Sequence, residues 1–123
     1  MTEDLTDVLD TSRLETLVDE IGDRDLVRQA VQAFLDEVPM RLHAIRAAVA
    51  AADHEEVNSS AHALGSPAAM LGAVAVSQVS RALQAAAVEG RDSDARELVE
   101  QLVATTHRTE AEMRAYVVGS AST

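Results

Sequence analysis

Residues 53 to 73 read DHEEVNSSAHALGSPAAMLGA, and the apolar side chains in this stretch recur at steps of three or four residues. Steps of that size bring side chains onto one face of an α-helix, which turns about 100° per residue. This face is formed by Val57, Ala61, Leu64, Ala68 and Leu71. Asp53 is suited to cap the helix N-terminus, and Gly72 marks its end. The stretch therefore predicts an amphipathic helix that packs one face against a core.

The same period recurs in four other segments. They cover residues 12 to 21, residues 25 to 52, a stretch that ends at Gly90, and a stretch that starts near Asp92 and runs to Val117. A capping box of Ser12 and Glu15 is expected to start the first helix. Pro39 should bend the second helix without ending it, because the apolar steps continue beyond the proline. Short connections predict that consecutive helices run antiparallel.

The composition also favours helices over strands. Apolar residues make up 47% of the chain but aromatic residues only 2%, so the core must consist of Ala, Val, Leu, Ile and Met. We therefore predict an all-α fold, an antiparallel four-helix bundle with a short additional N-terminal helix. Residues 1 to 123 should form a single domain, with a core from about residue 8 to 117 and a frayed tail from 118 to 123.

Charge and residue usage exclude several classes of function. The net charge is −11 and all ten basic residues are arginine, which disfavours binding to nucleic acid. The chain has no cysteine, and His43, His54 and His107 lack the spacing of metal ligands, so no metal site is predicted. No apolar run approaches the roughly 20 residues that span a membrane, and the acidic N-terminus does not resemble a signal peptide. We expect a soluble, cytoplasmic protein.

His62 lies on the side of its predicted helix that is opposite to the apolar face, so its imidazole should be exposed. The neighbours on this side have small or short side chains: Asn58, Ser59, Gly65, Ser66 and Ala69. A glycine inside a helix costs about 0.5–1 kcal/mol relative to alanine, which is tolerable where a partner must approach the backbone closely. The pattern predicts a partner-docking surface centred on these five residues, on the exposed faces of the second and third helices.

The stretch around His62 resembles the histidine-containing phosphotransfer (HPt) domains of multistep phosphorelays. The family pattern is close to A-H-x-L-K-G-S-x-x-x-L-G-A, and residues 61 to 73 read AHALGSPAAMLGA without a gap. Upstream, the segment LDTSRLETLVDEIGDRDLVRQAVQAFLDEVPMRLHAIRAAVAAAD is similar to the first two helices of the family. The resemblance covers residues from about 8 to 117.

The resemblance implies a phosphoryl carrier rather than a turnover enzyme. His62 would accept a phosphoryl group from an aspartate of one receiver domain and pass it to another receiver. The implied partners are response-regulator receiver domains, with a hybrid histidine kinase as a further candidate. The chain itself would bind no cofactor, because the receiver brings the Mg²⁺. A carrier that moves between partners is expected to be a monomer.

Three positions depart from the family pattern. Gly65 stands where the family has a lysine that helps to neutralise the phosphoryl group. Ser66 stands at the family's glycine, and Pro67 removes one helical N–H group. On this reading a substitute cation would come from the neighbouring second helix, where Arg41 and Arg46 are the candidates for neutralising the phosphate.

Two other functions stay open on the sequence alone. The domain would be a non-transferring interaction module if the missing lysine has abolished transfer, and it would then bind and modulate a receiver or a histidine kinase. It would be a plain helical adaptor if His62 is incidental. A Ser–His hydrolase is disfavoured, because no nucleophile elbow or oxyanion loop accompanies the serines near His62. Acid-labile, base-stable phosphate on His62 would distinguish the carrier from the alternatives.

Overall fold

Five α-helices make up most of the part of the chain that the computed structural model describes, which is residues 8 to 121. Within that range the chain contains no strand. The helices are α1 (Thr11–Ile21), α2 (Arg24–Ala50), α3 (His54–Met70), α4 (Val74–Val88) and α5 (Asp92–Ala121). Every predicted helix is therefore present, and α2 passes Pro39 as one helix. None of the five helices is both long enough and apolar enough to span a membrane.

The four longer helices form a closed bundle. α2 packs along α3 and α5, and α4 packs along the same two helices. α1 packs against α2 at the end of the bundle where α3 ends and α4 begins, since the backbone N–H of Asp10 donates to the carbonyl of Gly72 at 2.7 Å. The predicted antiparallel four-helix bundle with a short N-terminal helix is confirmed.

The core is aliphatic, as the composition requires. Its largest fully buried apolar side chains are Leu14, Ile45, Leu64, Leu83, Leu102 and Met113, so every helix contributes at least one. Each fully buried side chain of this size contributes about 1.5–3 kcal/mol relative to an exposed one. The apolar face predicted for α3 is buried in full. Two threonines of α5, Thr106 and Thr109, are also buried.

Two predictions about the helix ends are wrong. α1 begins at Thr11, and its cap is Asp10, whose carboxylate accepts from the backbone N–H of Ser12 at 3.1 Å. The expected capping box does not form, because Ser12 lies inside α1 and is not its N-cap, and Glu15 instead accepts hydrogen bonds from Arg24 of α2. At the other terminus α5 continues to Ala121, so residues 118 to 121 are helical rather than a frayed tail. Residues 122 and 123 lie outside the described part.

A charged cluster joins three helices at the α1 end of the bundle. The Arg24 guanidinium donates two hydrogen bonds to Glu15, at 2.7 and 2.8 Å, and the Tyr116 hydroxyl donates to the same carboxylate at 2.8 Å. The hydrogen bonds from Arg24, and to a smaller extent the one from Tyr116, lower the pKa of Glu15 to about 2. Burial, and then the adjacent Glu15, raises the pKa of Tyr116. The cluster fastens α1 to the start of α2 and the end of α5.

Candidate functional site

His62 lies in the middle of α3 with its side chain exposed, as predicted. Its neighbours Ala61 and Leu64 are buried on the opposite face of the helix. Asp53 caps α3 as predicted, accepting from the backbone N–H of Glu56 at 3.2 Å. The helix continues past Pro67 to Met70. The imidazole is therefore presented to solvent by a helix that is anchored along its inner face.

An open groove of about 220 Å³ runs beside His62, between α3 and α4. The residues that line it are His62, Gly65, Ser66, Ala69, Ser77, Arg81 and Gln84. None of these residues is acidic, although the chain as a whole carries a net charge of −11. The groove is thus a weakly polar site with one permanent positive charge.

Gly65 is buried, which corrects its predicted place at the centre of an exposed docking surface. A Cβ added to Gly65 would lie 2.8 Å from the Cβ of Ser80 on α4, closer than side chains tolerate. The missing side chain therefore makes room for α4, while Gly65 still lines the groove beside His62. For the same reason a lysine could not stand at this position without moving α4 away from α3.

The other predicted docking residues divide between two sides of α3. Ser66 and Ala69 are exposed and line the α3–α4 groove with His62. Asn58 is half-buried, and its side-chain oxygen accepts from Gln84 Nε2 at 3.0 Å, which links α3 to α4 one turn before His62. Ser59 is exposed but lines a separate groove between α2 and α3. Three of the five predicted residues, Gly65, Ser66 and Ala69, therefore lie in the groove of His62.

The two arginines predicted to neutralise the phosphate lie outside the α3–α4 groove. Arg41 lines the α2–α3 groove and pairs with Glu37 at 3.0 Å. Arg46 lies at the contact of α2 with α5, where it pairs with Glu100 at 3.1 Å. Their role stays a prediction, but both guanidinium groups already face a carboxylate.

Arg81 is a cationic side chain beside His62 that was not among the residues predicted from the sequence. Its side chain is exposed and lines the groove with His62, and its Nη2 lies 3.4 Å from Ser77 Oγ. The signal was available in the sequence. In an antiparallel pair of helices joined at Gly72, residues about equally far from the turn face one another, and His62 and Arg81 meet that condition. The predicted candidates Arg41 and Arg46 lie on α2, whereas α4 packs along the other side of α3.

The remaining histidines do not form a metal site in the described part of the chain. His54 lies at the start of α3, with Nε2 2.7 Å from Asp92 Oδ1, and His43 lines the groove between α2 and α5. Among residues 8 to 121, no group of three or more histidine, aspartate or glutamate side chains is placed to hold a metal ion.

Comparison with known proteins identifies the family. A family model described as the Hpt domain matches residues 29 to 114, about 70% of the chain, and the match includes His62 and the whole α3–α4 groove. The chain belongs to the Hpt domain family. It is a histidine phosphotransfer protein of the kind that acts in phosphorelays. No curated protein sequence matches the chain.

The fold of this Hpt domain is also found in a solved structure. The crystal structure of histidine-containing phosphotransfer protein B (HptB) from Pseudomonas aeruginosa PAO1 superposes with a TM-score of 0.83. The alignment covers 90% of this chain and 95% of that one, at 22% sequence identity. At this identity the likeness concerns the fold. It shows that the helical bundle of the Hpt domain is an architecture already observed by experiment.

Proposed function

We propose that His62 is the phosphoryl acceptor of this Hpt domain, and that it carries the group between the aspartates of receiver domains. The observation that carries this proposal is the exposed imidazole on the outer face of α3, beside an open groove without acidic residues. A neutral imidazole is an effective nucleophile near neutral pH. Phosphoryl transfer requires mainly positioning and charge neutralisation, and a rigid helix supplies the positioning.

In the proposed reaction, one phosphoryl group moves from a receiver aspartate to His62 and then from His62 to a second receiver. The lone pair of the unprotonated ring nitrogen of His62 forms a bond to phosphorus. The bond from phosphorus to the aspartyl oxygen breaks, and its electron pair leaves on the receiver's carboxylate. The other ring nitrogen keeps its proton. Transfer to a second receiver reverses these changes, so the chain is a carrier and not a turnover enzyme. In this scheme the receiver supplies Mg²⁺, and the Hpt domain binds no cofactor.

The docking surface would comprise the exposed residues on both sides of His62. Ser66 and Ala69 lie on the α4 side, and Ser59 lies on the α2 side. Two exposed methionines extend this surface. Met40 lies on α2 and lines the same groove as Ser59, and Met70 lies at the end of α3. Their exposed fractions are 63% and 56%. Methionine is enriched at protein interfaces because its flexible side chain adapts to a partner. A receiver domain is the proposed partner, with a hybrid histidine kinase as a second candidate. The carrier would act as a cytoplasmic monomer.

Transfer from labelled receivers tests the proposal directly. A panel of receiver domains carrying ³²P-aspartyl phosphate is mixed with the wild-type chain, with His62→Gln, and with His107→Gln, which removes another exposed histidine on α5. We expect acid-labile, base-stable label on the wild type and on His107→Gln, and none on His62→Gln. A receiver that binds the wild type without transferring label would instead favour the non-transferring interaction module.

A further inference from the structure

We propose that Arg81 supplies the positive charge that holds the phosphoryl group on His62. This inference rests on the proposed function, because it assumes that His62 is the acceptor. A phosphoryl group adds negative charge to a chain whose net charge is already −11 and which contains no lysine. Such a group needs a positive partner to limit the electrostatic cost. Arg81 is the only cationic side chain among the residues that line the groove of His62.

The packing of α3 against α4 places Arg81 beside the acceptor. Gly65, which lies one turn after His62, lets Ser80 of α4 approach the backbone of α3. Arg81 follows Ser80 directly, so the close approach carries its side chain to the edge of the groove. The hydrogen bond between Gln84 and Asn58 holds the next turn of α4 against α3. Two contacts between α3 and α4 therefore hold the backbone near Arg81 in place: the close approach of Ser80 to Gly65 and the hydrogen bond of Gln84 to Asn58.

The guanidinium of Arg81 is also available for a new partner. In the described part of the chain, its one hydrogen bond is to the neutral hydroxyl of Ser77, and it forms no ion pair. Arg41 and Arg46 already pair with carboxylates. Because an arginine has five N–H donors in a planar fork, Arg81 can keep the bond to Ser77 and still donate to phosphoryl oxygens. Its charge does not first have to be released from an acidic residue.

The contact would act in both directions of transfer. The transferring group has a loose transition state with charge on its three outer oxygens, and a fixed cation stabilises that charge. The same contact would stabilise the phosphohistidine that is formed. Hydrogen bonds to charged groups are stronger than those between neutral groups, so loss of the guanidinium should slow transfer by about 10-fold or more.

Three variants test this inference in the full chain. Arg81→Gln removes the charge and Arg81→Lys keeps it. Arg96→Gln is the matched control, because it removes an exposed arginine that lines the groove between α2 and α5. The measurements are the rate of label transfer from a phosphorylated receiver and the half-life of the labelled Hpt domain alone, with circular dichroism to verify folding. The half-life separates a contact with the phosphoryl group from a contact with the receiver.

We expect Arg81→Gln to slow transfer about 10-fold or more and to shorten the half-life, Arg81→Lys to restore part of both, and Arg96→Gln to match the wild type. Rates and half-life of Arg81→Gln that equal those of the wild type would overturn the inference. So would equal slowing by Arg81→Gln and Arg96→Gln, since that would reflect the net charge alone. In both cases label that still depends on His62 would leave the proposed function standing. A wild-type chain that takes no label from any receiver would overturn both.

Discussion

Residues with small side chains serve two different purposes around His62. Ser66 and Ala69 are exposed and leave the imidazole open to a partner. Gly65 is buried and leaves room for Ser80 of α4. One glycine therefore determines how closely the two helices approach, and with it where the groove beside His62 lies. A substitution at Gly65 should act on stability and on the site together, whereas a substitution at Ser66 should act on the site alone.

Gly65→Ala tests this role. The added Cβ meets the Cβ of Ser80 at 2.8 Å, and overpacking of this kind costs about 1–3 kcal/mol. The better helix propensity of alanine returns up to about 1 kcal/mol, so we expect a net loss of about 1 kcal/mol in the free energy of unfolding, measured with urea.

Two controls accompany that measurement. Ser66→Ala, at the adjacent exposed position, should change stability by less than about 0.5 kcal/mol. Ser80→Gly removes the opposing Cβ, so the double variant with Gly65→Ala should be more stable than the sum of the two single changes predicts. If the double variant is no more stable than the sum of the single changes predicts, the two side chains do not clash. Gly65 would then be small for another reason.

At the scale of the elements, the turn between α3 and α4 aligns the two helices that form the groove. Gly72 has a left-handed backbone conformation, with φ of +81°, and a Cβ there would lie 2.5 Å from the carbonyl oxygen of Asp10. The Arg13 side chain also donates to the carbonyl of Met70 at 3.2 Å. The segment that leads into α1 is therefore fastened to the turn, and α1 supports the α3–α4 pair.

Gly72→Ala should weaken this turn. The left-handed conformation costs a non-glycine residue about 1–2 kcal/mol, and contact with the backbone of Asp10 adds to that cost. Gly22→Ala is a matched control, because Gly22 has φ of +80° but no atom within 4 Å of an added Cβ. In thermal unfolding we expect a lower midpoint for Gly72→Ala than for Gly22→Ala. Equal midpoints would show that the Asp10 segment is not held against the turn.

Across the whole molecule, the helical period predicted most of the fold and the exposure of His62, because both follow from which residues share a face. It did not predict that Gly65 is buried, since a single helix pattern does not say which neighbour lies along each flank. Arg81 was missed for a related reason: its approach to His62 depends on how two helices pair. The cap at Asp10 was missed because Ser12 is an equally suitable capping residue in the sequence, and the two lie only two positions apart.

The cluster of Glu15, Arg24 and Tyr116 joins three helices, so its charge state should affect the stability of the whole bundle. Because the Arg24 and Tyr116 hydrogen bonds lower the pKa of Glu15 from 4.5 to about 2, the folded state favours the ionised carboxylate. The contribution of Glu15 is therefore complete above about pH 5 and is lost as the pH falls from 4.5 towards 2. We expect Glu15→Gln to unfold at lower urea concentration than the wild type at pH 7, and the two midpoints to converge near pH 2. A difference that stays constant over this range would mean that the ionisation of Glu15 does not contribute to holding α1 on the bundle.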